Sequence, residues 1–333
     1  MGVSRGIFFL FMGVNVFFLA SSAVRADDWR VVRLKASSPI KLTADQLNAK
    51  LMQALQSEEI ETARHYLKLG ANLNAINPIQ GRTPLQFFSV KGDAKAVEFL
   101  IENHANAALT DPSGANALIA MAKANTNSSV IIEALLKTGI DVDAVDGFGL
   151  SALTYYVQHG NHAAVTTLLS AAPHISLRGS QTVLKRSKRY MTTPLWFAAS
   201  SGFTEIVALL LTKEPTLLYQ RVGLIRETAL MAAAKNCRAE TVKTILEIMG
   251  DRANINLQNS EKMTATMFAA KQCCLDATNT LPVLLEAKPD LSVPGPLKMI
   301  GHPDYGIQSF PQTAFDFAAC PANKKLLFEQ KHL

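Results

Sequence analysis

The side chains best suited to chemistry in this chain are four cysteines, Cys237, Cys273, Cys274 and Cys320, all in its last third. Thiols oxidise, ligate metals or attack as nucleophiles according to their surroundings. Seven histidines, His65, His104, His159, His162, His174, His302 and His332, are scattered, and none stands near the cysteines in zinc-ligand spacing. His159 and His162 flank Gly160, a lone pairing that suits a surface turn better than a metal. Glu58, Glu59 and Glu61 fall where a helix would start, and acids there complement the helix dipole. No glycine-rich phosphate loop or nucleophile motif occurs. The chain is therefore expected to be no enzyme, with no cofactor, no metal and no small-molecule substrate. What remains is thiol chemistry and contact chemistry. Five cations, Arg178, Lys185, Arg186, Lys188 and Arg189, crowd one stretch without an acid, and Tyr155, Tyr156, Tyr190, Trp196 and Phe197 gather around it in sequence.

The elements that must position these groups are set by a repeat. Thr193-Pro194-Leu195-Trp196-Phe197-Ala198-Ala199-Ser200-Ser201-Gly202 is matched by Thr83-Pro84-Leu85 through Gly92. Counting the Thr or its substitute as position one, units start at Asn48, Thr83, Asn116, Ser151, Thr193, Thr228, Thr264 and Thr313. Their spacings by subtraction are 35, 33, 35, 42, 35, 36 and 49. Each unit reads as a capped first helix (with Pro at its first turn in the units starting at Thr83 and Thr193), a polar turn, and an amphipathic second helix such as Ile206, Val207, Leu209, Leu210 and Leu211. No such pair buries its apolar face alone, so the units must stack into one core.

At these residues the chain resembles the ankyrin-repeat family, whose period is about 33 residues. The Thr-Pro-Leu opening stands at Thr83 and Thr193. The Gly-Ala-x-x-Asn ending stands at Gly70-Ala71-Asn72-Leu73-Asn74, and the Asp-x-x-Gly finger signal at Asp111–Gly114 and Asp146–Gly149. The resemblance runs from about Asn48 to Phe328. It implies an all-α solenoid of about eight helix-turn-helix units with β-turn fingers, and a concave face of fingers and inner helices that binds a protein partner. Tyr155, Tyr156, Trp196, Phe197 and the basic stretch are expected near the centre of that face. Trp196 occupies the fourth position, where the family usually carries His. Both a core role and an exposed anchor are open to it.

Residues 1–26 read as a secretory signal: Arg5, an apolar centre from Ile7 to Ala20, and the small-residue ending Val24-Arg25-Ala26, with cleavage expected after Ala26. The apolar centre is short for a membrane span of about 20 residues, and an uncleaved anchor is the alternative. Residues 27–47 read as an N-terminal extension or cap, and 48–333 as the repeat domain. The expected location is periplasmic or secreted, and the expected state a monomer. Without Arg5 and Arg25 the chain has 31 basic against 27 acidic residues, an excess too small to indicate nucleic acid. An inhibitor or immunity protein, an envelope scaffold (tethered if the signal stays uncleaved) and a secreted host-directed effector all fit a binding module of this kind.

Export makes disulfides chemically reasonable. Cys237 and Cys273 hold the same tenth position in successive units, expected to lie about 10 Å apart and so beyond disulfide reach. A longer turn after Lys271 supplies slack for Cys273 or Cys274 to reach Cys237 or Cys320. Four free thiols and a single staple both remain open. Two insertions fall on the finger side. The first, about 176–192, holds the cations and is expected to extend its finger into a small hairpin. The second, about 291–312, is rich in Pro and Gly yet apolar, and is expected to be a packed loop over the end of the stack.

Overall fold

Six of the units open with the same capping hydrogen bond. Thr83 Oγ1 accepts the Gln86 N–H while Gln86 Oε1 accepts the Thr83 N–H, a reciprocal cap that starts α3 (Pro84–Lys91). Asn116, Ser151, Thr193, Thr228 and Thr264 each accept the N–H three residues on in the same way. They start α5 (Ala117–Lys123), α7 (Ala152–Gln158), α9 (Pro194–Ser201), α11 (Ala229–Lys235) and α13 (Ala265–Lys271). The first five of these helices, α3 to α11, are followed by a left-handed residue, at Gly92, Asn125, Gly160, Gly202 and Cys237, whereas α13 runs into extended Gln272. At Gly160 a side chain would also collide with the Phe203 ring, 2.7 Å from an added Cβ.

The second helices are α2 (Ile60–Lys68), α4 (Ala94–Glu102), α6 (Ser129–Lys137), α8 (His162–Ala171), α10 (Thr204–Lys213), α12 (Ala239–Met249) and α14 (Thr280–Glu286). The computed structural model describes residues 42–172, 193–272, 274, 279–302 and 306–331. Within them α3, α5, α7, α9, α11 and α13 stack in one row, and α4, α6, α8, α10, α12 and α14 in a second. The core lies between the rows. Leu85, Leu118, Leu153, Leu195 and Leu230 fill it from one side, and Leu100, Leu135, Leu168, Leu210 and Ile245 from the other, all buried. Alanines at positions six and seven, such as Ala198, Ala199, Ala233, Ala234, Ala269 and Ala270, are buried where neighbouring first helices meet.

Asparagines and aspartates shape the fingers. Asp146 Oδ1 accepts the Phe148 and Leu150 N–H groups, and Asp111 Oδ1 accepts those of Ser113 and Ala115. Neighbouring fingers then touch, with Gly147 N–H donating to the Ser113 carbonyl at 2.7 Å. A Cβ on Gly114 would stand 3.0 Å from Gly147 N, and Gly114 has φ +81°, so this contact demands glycine. Asn74, the last residue of the Gly-Ala-x-x-Asn ending, accepts the Asn106 N–H one unit on at 2.8 Å.

Three features differ from the sequence expectation. The first helix, α1 (Ala44–Gln56), begins inside the extension assigned to 27–47, because Leu47 and Leu51 are both needed in the core. Asn48 thus lies within α1 and caps nothing; its Oδ1 accepts the Asn72 N–H instead. The second insertion carries an antiparallel hairpin, β1 (Leu297–His302) and β2 (Gly306–Pro311), in place of an irregular packed loop. The stack itself is all-α. The unit starting at Thr313 opens with a turn at 314–317 in place of a first helix, and then α15 (Pro321–Lys331).

Candidate protein-interaction face

Two positions of the first helices supply side chains that reach the fingers, as at Tyr155, Lys123 and Lys235. Position five carries Phe87, Ala120, Tyr155, Phe197, Ala232 and Phe268; position eight carries Val90, Lys123, Gln158, Ser200, Lys235 and Lys271. Lys123 fixes the geometry. Its Nζ lies 3.6 Å from Asp146 Oδ2, donates to Ser113 Oγ at 3.2 Å, and sits 5.1 Å from the Phe148 ring centre and 5.8 Å from that of Tyr155. The Asp146 carboxylate is fully buried, and Tyr155 Oη donates to it at 2.6 Å. Burial, and then the bond to Asp146, push the Tyr155 phenol well above its ordinary value. Lys235 at the same position pairs with buried Glu227 at 2.8 Å and lies over Phe268. Both lysines remain half-exposed, so the face presents cations whose charge is balanced from beneath.

Of the residues singled out from sequence, Tyr155 and Tyr156 are not free for a partner. Tyr155 is 8% exposed and Tyr156 fully buried. Tyr155 is held down by Asp146. Tyr156, the next residue round the helix, points back into the stack and donates to the Thr126 carbonyl at 3.0 Å. Trp196 and Phe197 are both half-buried and meet edge-to-face at 5.8 Å. Gln86, at the fourth position, donates to the Leu109 and Ala115 carbonyls and so anchors the next finger. Trp196 at the equivalent position offers one N–H, which is buried without an acceptor among the described residues. Arg178, Lys185, Arg186, Lys188, Arg189 and Tyr190 lie outside the described residues, as does Cys273.

A disulfide joins Cys237 to Cys274, Cα to Cα 5.7 Å, and Cys320 is a half-buried free thiol. The bond uses the cysteine one place beyond the equivalent position, and ties the turn after α11 to the turn after α13.

Sequence reading missed the finger tips. Ile79 is 93%, Leu224 78% and Phe148 64% exposed, each on a different finger. A signal was there for Phe148: an aromatic between the two glycines of Asp146-Gly147-Phe148-Gly149 has no core to enter. Exposed large apolar side chains that share a face are a mark of interaction surfaces.

Stacked two-helix units with fingers define a repeat solenoid, a scaffold whose surface rather than an enclosed site carries its function. The sequence profile described as "Ankyrin repeats (3 copies)" matches residues 51–146 and 119–220, and that described as "Ankyrin repeat" matches 226–260. The chain belongs to the ankyrin-repeat family. Among curated proteins it is 30% identical over 174 residues to the nuclear factor NF-kappa-B p105 subunit of Gallus gallus, a match over 51% of this chain and 17% of that one. It therefore spans a minor part of that relative's length. Solved structures with the same fold include the human ASB11 ankyrin repeat domain, at TM-score 0.55 and 20% identity over 75% of this chain and 98% of that one. The ankyrin repeat domain of Bcl-3, a member of the IkappaB protein family, superposes at TM-score 0.58 and 20% identity over 71% of this chain and 97% of that domain. Ankyrin repeats of this kind form protein–protein interaction modules.

Proposed function

We propose that this chain is an exported, non-catalytic binding protein that grips a polypeptide partner with its finger and inner-helix face, and that it acts by masking an exported toxin or enzyme. The observation that carries the reading is the row of half-buried or exposed Phe87, Lys123, Phe148, Phe197 and Lys235 along one side of the stack. Aromatic anchors beside half-exposed cations are the composition of binding hot spots. Export is supported by the apolar run of residues 7–20 and by the Cys237–Cys274 disulfide, a bond favoured in oxidising compartments.

Pull-down from envelope extract with the full chain tests this. Wild type is expected to retain a specific protein, and the double variant Phe148→Asp, Phe197→Asp to lose it while keeping its thermal melt. Equal retention by both would remove this face from the account.

A further inference from the structure

The stack is uneven at its start. Helix α1 packs closely on α2 but not on α3, whereas every later first helix packs on its neighbour. Unit one is tied to unit two on the outer side, where Lys95 pairs with Glu58 at 2.9 Å and the Arg64 guanidinium lies 5.7 Å from the Phe99 ring centre. At the finger base, Asn72 N–H is held by Asn48. The wedge left between α1, the first finger and α3 is a cleft of about 700 Å³. That falls within the roughly 300–1,000 Å³ of ligand clefts.

Three properties of the walls define an occupant. Apolar surface comes from Met52, Phe87, Ile76 and Ile79, the last two 56% and 93% exposed. Asp45 and Arg82 are the only ionisable side chains on the walls among the described residues, one of each sign. The remaining polar groups are carboxamides, and three of these have a fixed orientation. Asn48 Oδ1 accepts Asn72 N–H, Asn72 Oδ1 accepts Asn74 N–H, and Asn77 Oδ1 accepts the N–H groups of Ile79 and Gln80. A backbone N–H can bond only the oxygen end of an amide, so each NH₂ end is left as the donor. Those ends have no partner among the described residues. The cleft therefore offers fixed N–H donors between apolar surfaces, with balanced charge.

The geometry points to an extended, uncharged, apolar-rich peptide segment of the partner as the occupant. An extended chain presents a carbonyl to one side every second residue, about 6.6–6.8 Å apart, with side chains alternating between faces. It can meet the asparagine donors with its backbone and lay side chains against Met52, Phe87 and Ile79. A helix has its carbonyls occupied internally except over its last turn. A hydrocarbon would bury the donors unpaired, and a charged peptide has no excess countercharge to meet. This deepens the proposal above, resting on the chain being a polypeptide-binding protein, and gives that face a second, sequence-reading end.

Panning the full chain against a phage-displayed library of random linear 12-residue peptides tests it. Enriched peptides are expected to be uncharged with apolar residues at alternate positions. Synthesised, they should bind at least tenfold more weakly to Ile79→Asp, to Ala49→Arg, which fills the cleft from an exposed helix position, and to Asn72→Asp, which keeps the acceptor for Asn74 but deletes the donor. Leu224→Asp, on another finger, should bind as wild type does. Thermal melts of the variants should match wild type, since Ile79, Ala49 and Asn72 are exposed. No enrichment, enrichment of charged peptides, or equal binding by Ala49→Arg overturns the assignment. So does dimerisation of the wild type that Ala49→Arg abolishes, which would give the cleft to a second copy. An envelope protein captured equally by wild type and Ala49→Arg would overturn the cleft while leaving the interaction reading intact. If wild type captures no envelope protein, the interaction reading fails and the peptide titrations alone decide the cleft.

Discussion

Tyr155 and Tyr156 are adjacent in sequence, yet they serve different neighbours. A step of one residue turns a helix by about 100°, so two consecutive side chains cannot share a face. Tyr155 closes over Asp146 beside Lys123; Tyr156 reaches the turn of the preceding unit. Tyr155→Phe deletes a donor to a buried carboxylate, and should cost about 1–3 kcal/mol in urea unfolding. Burial raises both phenols above the ordinary value near 10. The unfolded chain then loses these protons first. Stability should hold below about pH 10 and fall as pH rises past it, with a shallower fall in Tyr156→Phe. Denaturant midpoints measured from pH 8 to 11 check the sign. The sequence made these tyrosines visible as aromatics on a first helix. It did not show the direction they take, because that depends on how the finger folds Asp146 back over α7 and on Thr126, which stacking brings in from the preceding unit.

At the scale of elements, the tenth position shows how one residue can be chosen against local preference. Gly92, Gly160 and Gly202 take the left-handed turn there without strain, and Cys237 takes it with φ +57°. A non-glycine residue in that region carries a cost of order 1–3 kcal/mol. The disulfide to Cys274 offsets it by constraining the unfolded chain, typically by about 2–4 kcal/mol. Cys237→Ser keeps the strain and loses the bond, so it should be the least stable variant. Cys237→Gly loses both, and its melting temperature should fall between Ser and wild type. Equal melts for the two variants would show that the backbone strain counts for nothing. The first helices and their caps were legible because Thr-Pro-Leu writes the cap, the first turn and the core contact in three residues. The hairpin from Leu297 to Pro311 was less so. Pro and Gly exclude helix there, but Pro311 at the end of an outer strand leaves pairing intact, and nothing local separates a hairpin from a loop.

For the whole molecule, a period near 33 residues was enough to give the stack, since every unit repeats the same burial problem. The uneven first joint was not legible, because α1 differs from its successors in how far it stands from α3, a relation between units. The exposed Ile79, Phe148 and Leu224 belong to the same scale: each is an isolated apolar residue in sequence, and only the common finger side makes them a surface. A bound partner is expected to cover this side and leave the row of second helices open. Hydrogen–deuterium exchange of the full chain, free and bound to the protein it retains from envelope extract, measures this directly. Slowed exchange in the first finger, α5, the Asp146–Gly149 finger and α9, with α4, α6, α8 and α10 unchanged, is the predicted result. Protection confined to the second helices would contradict it.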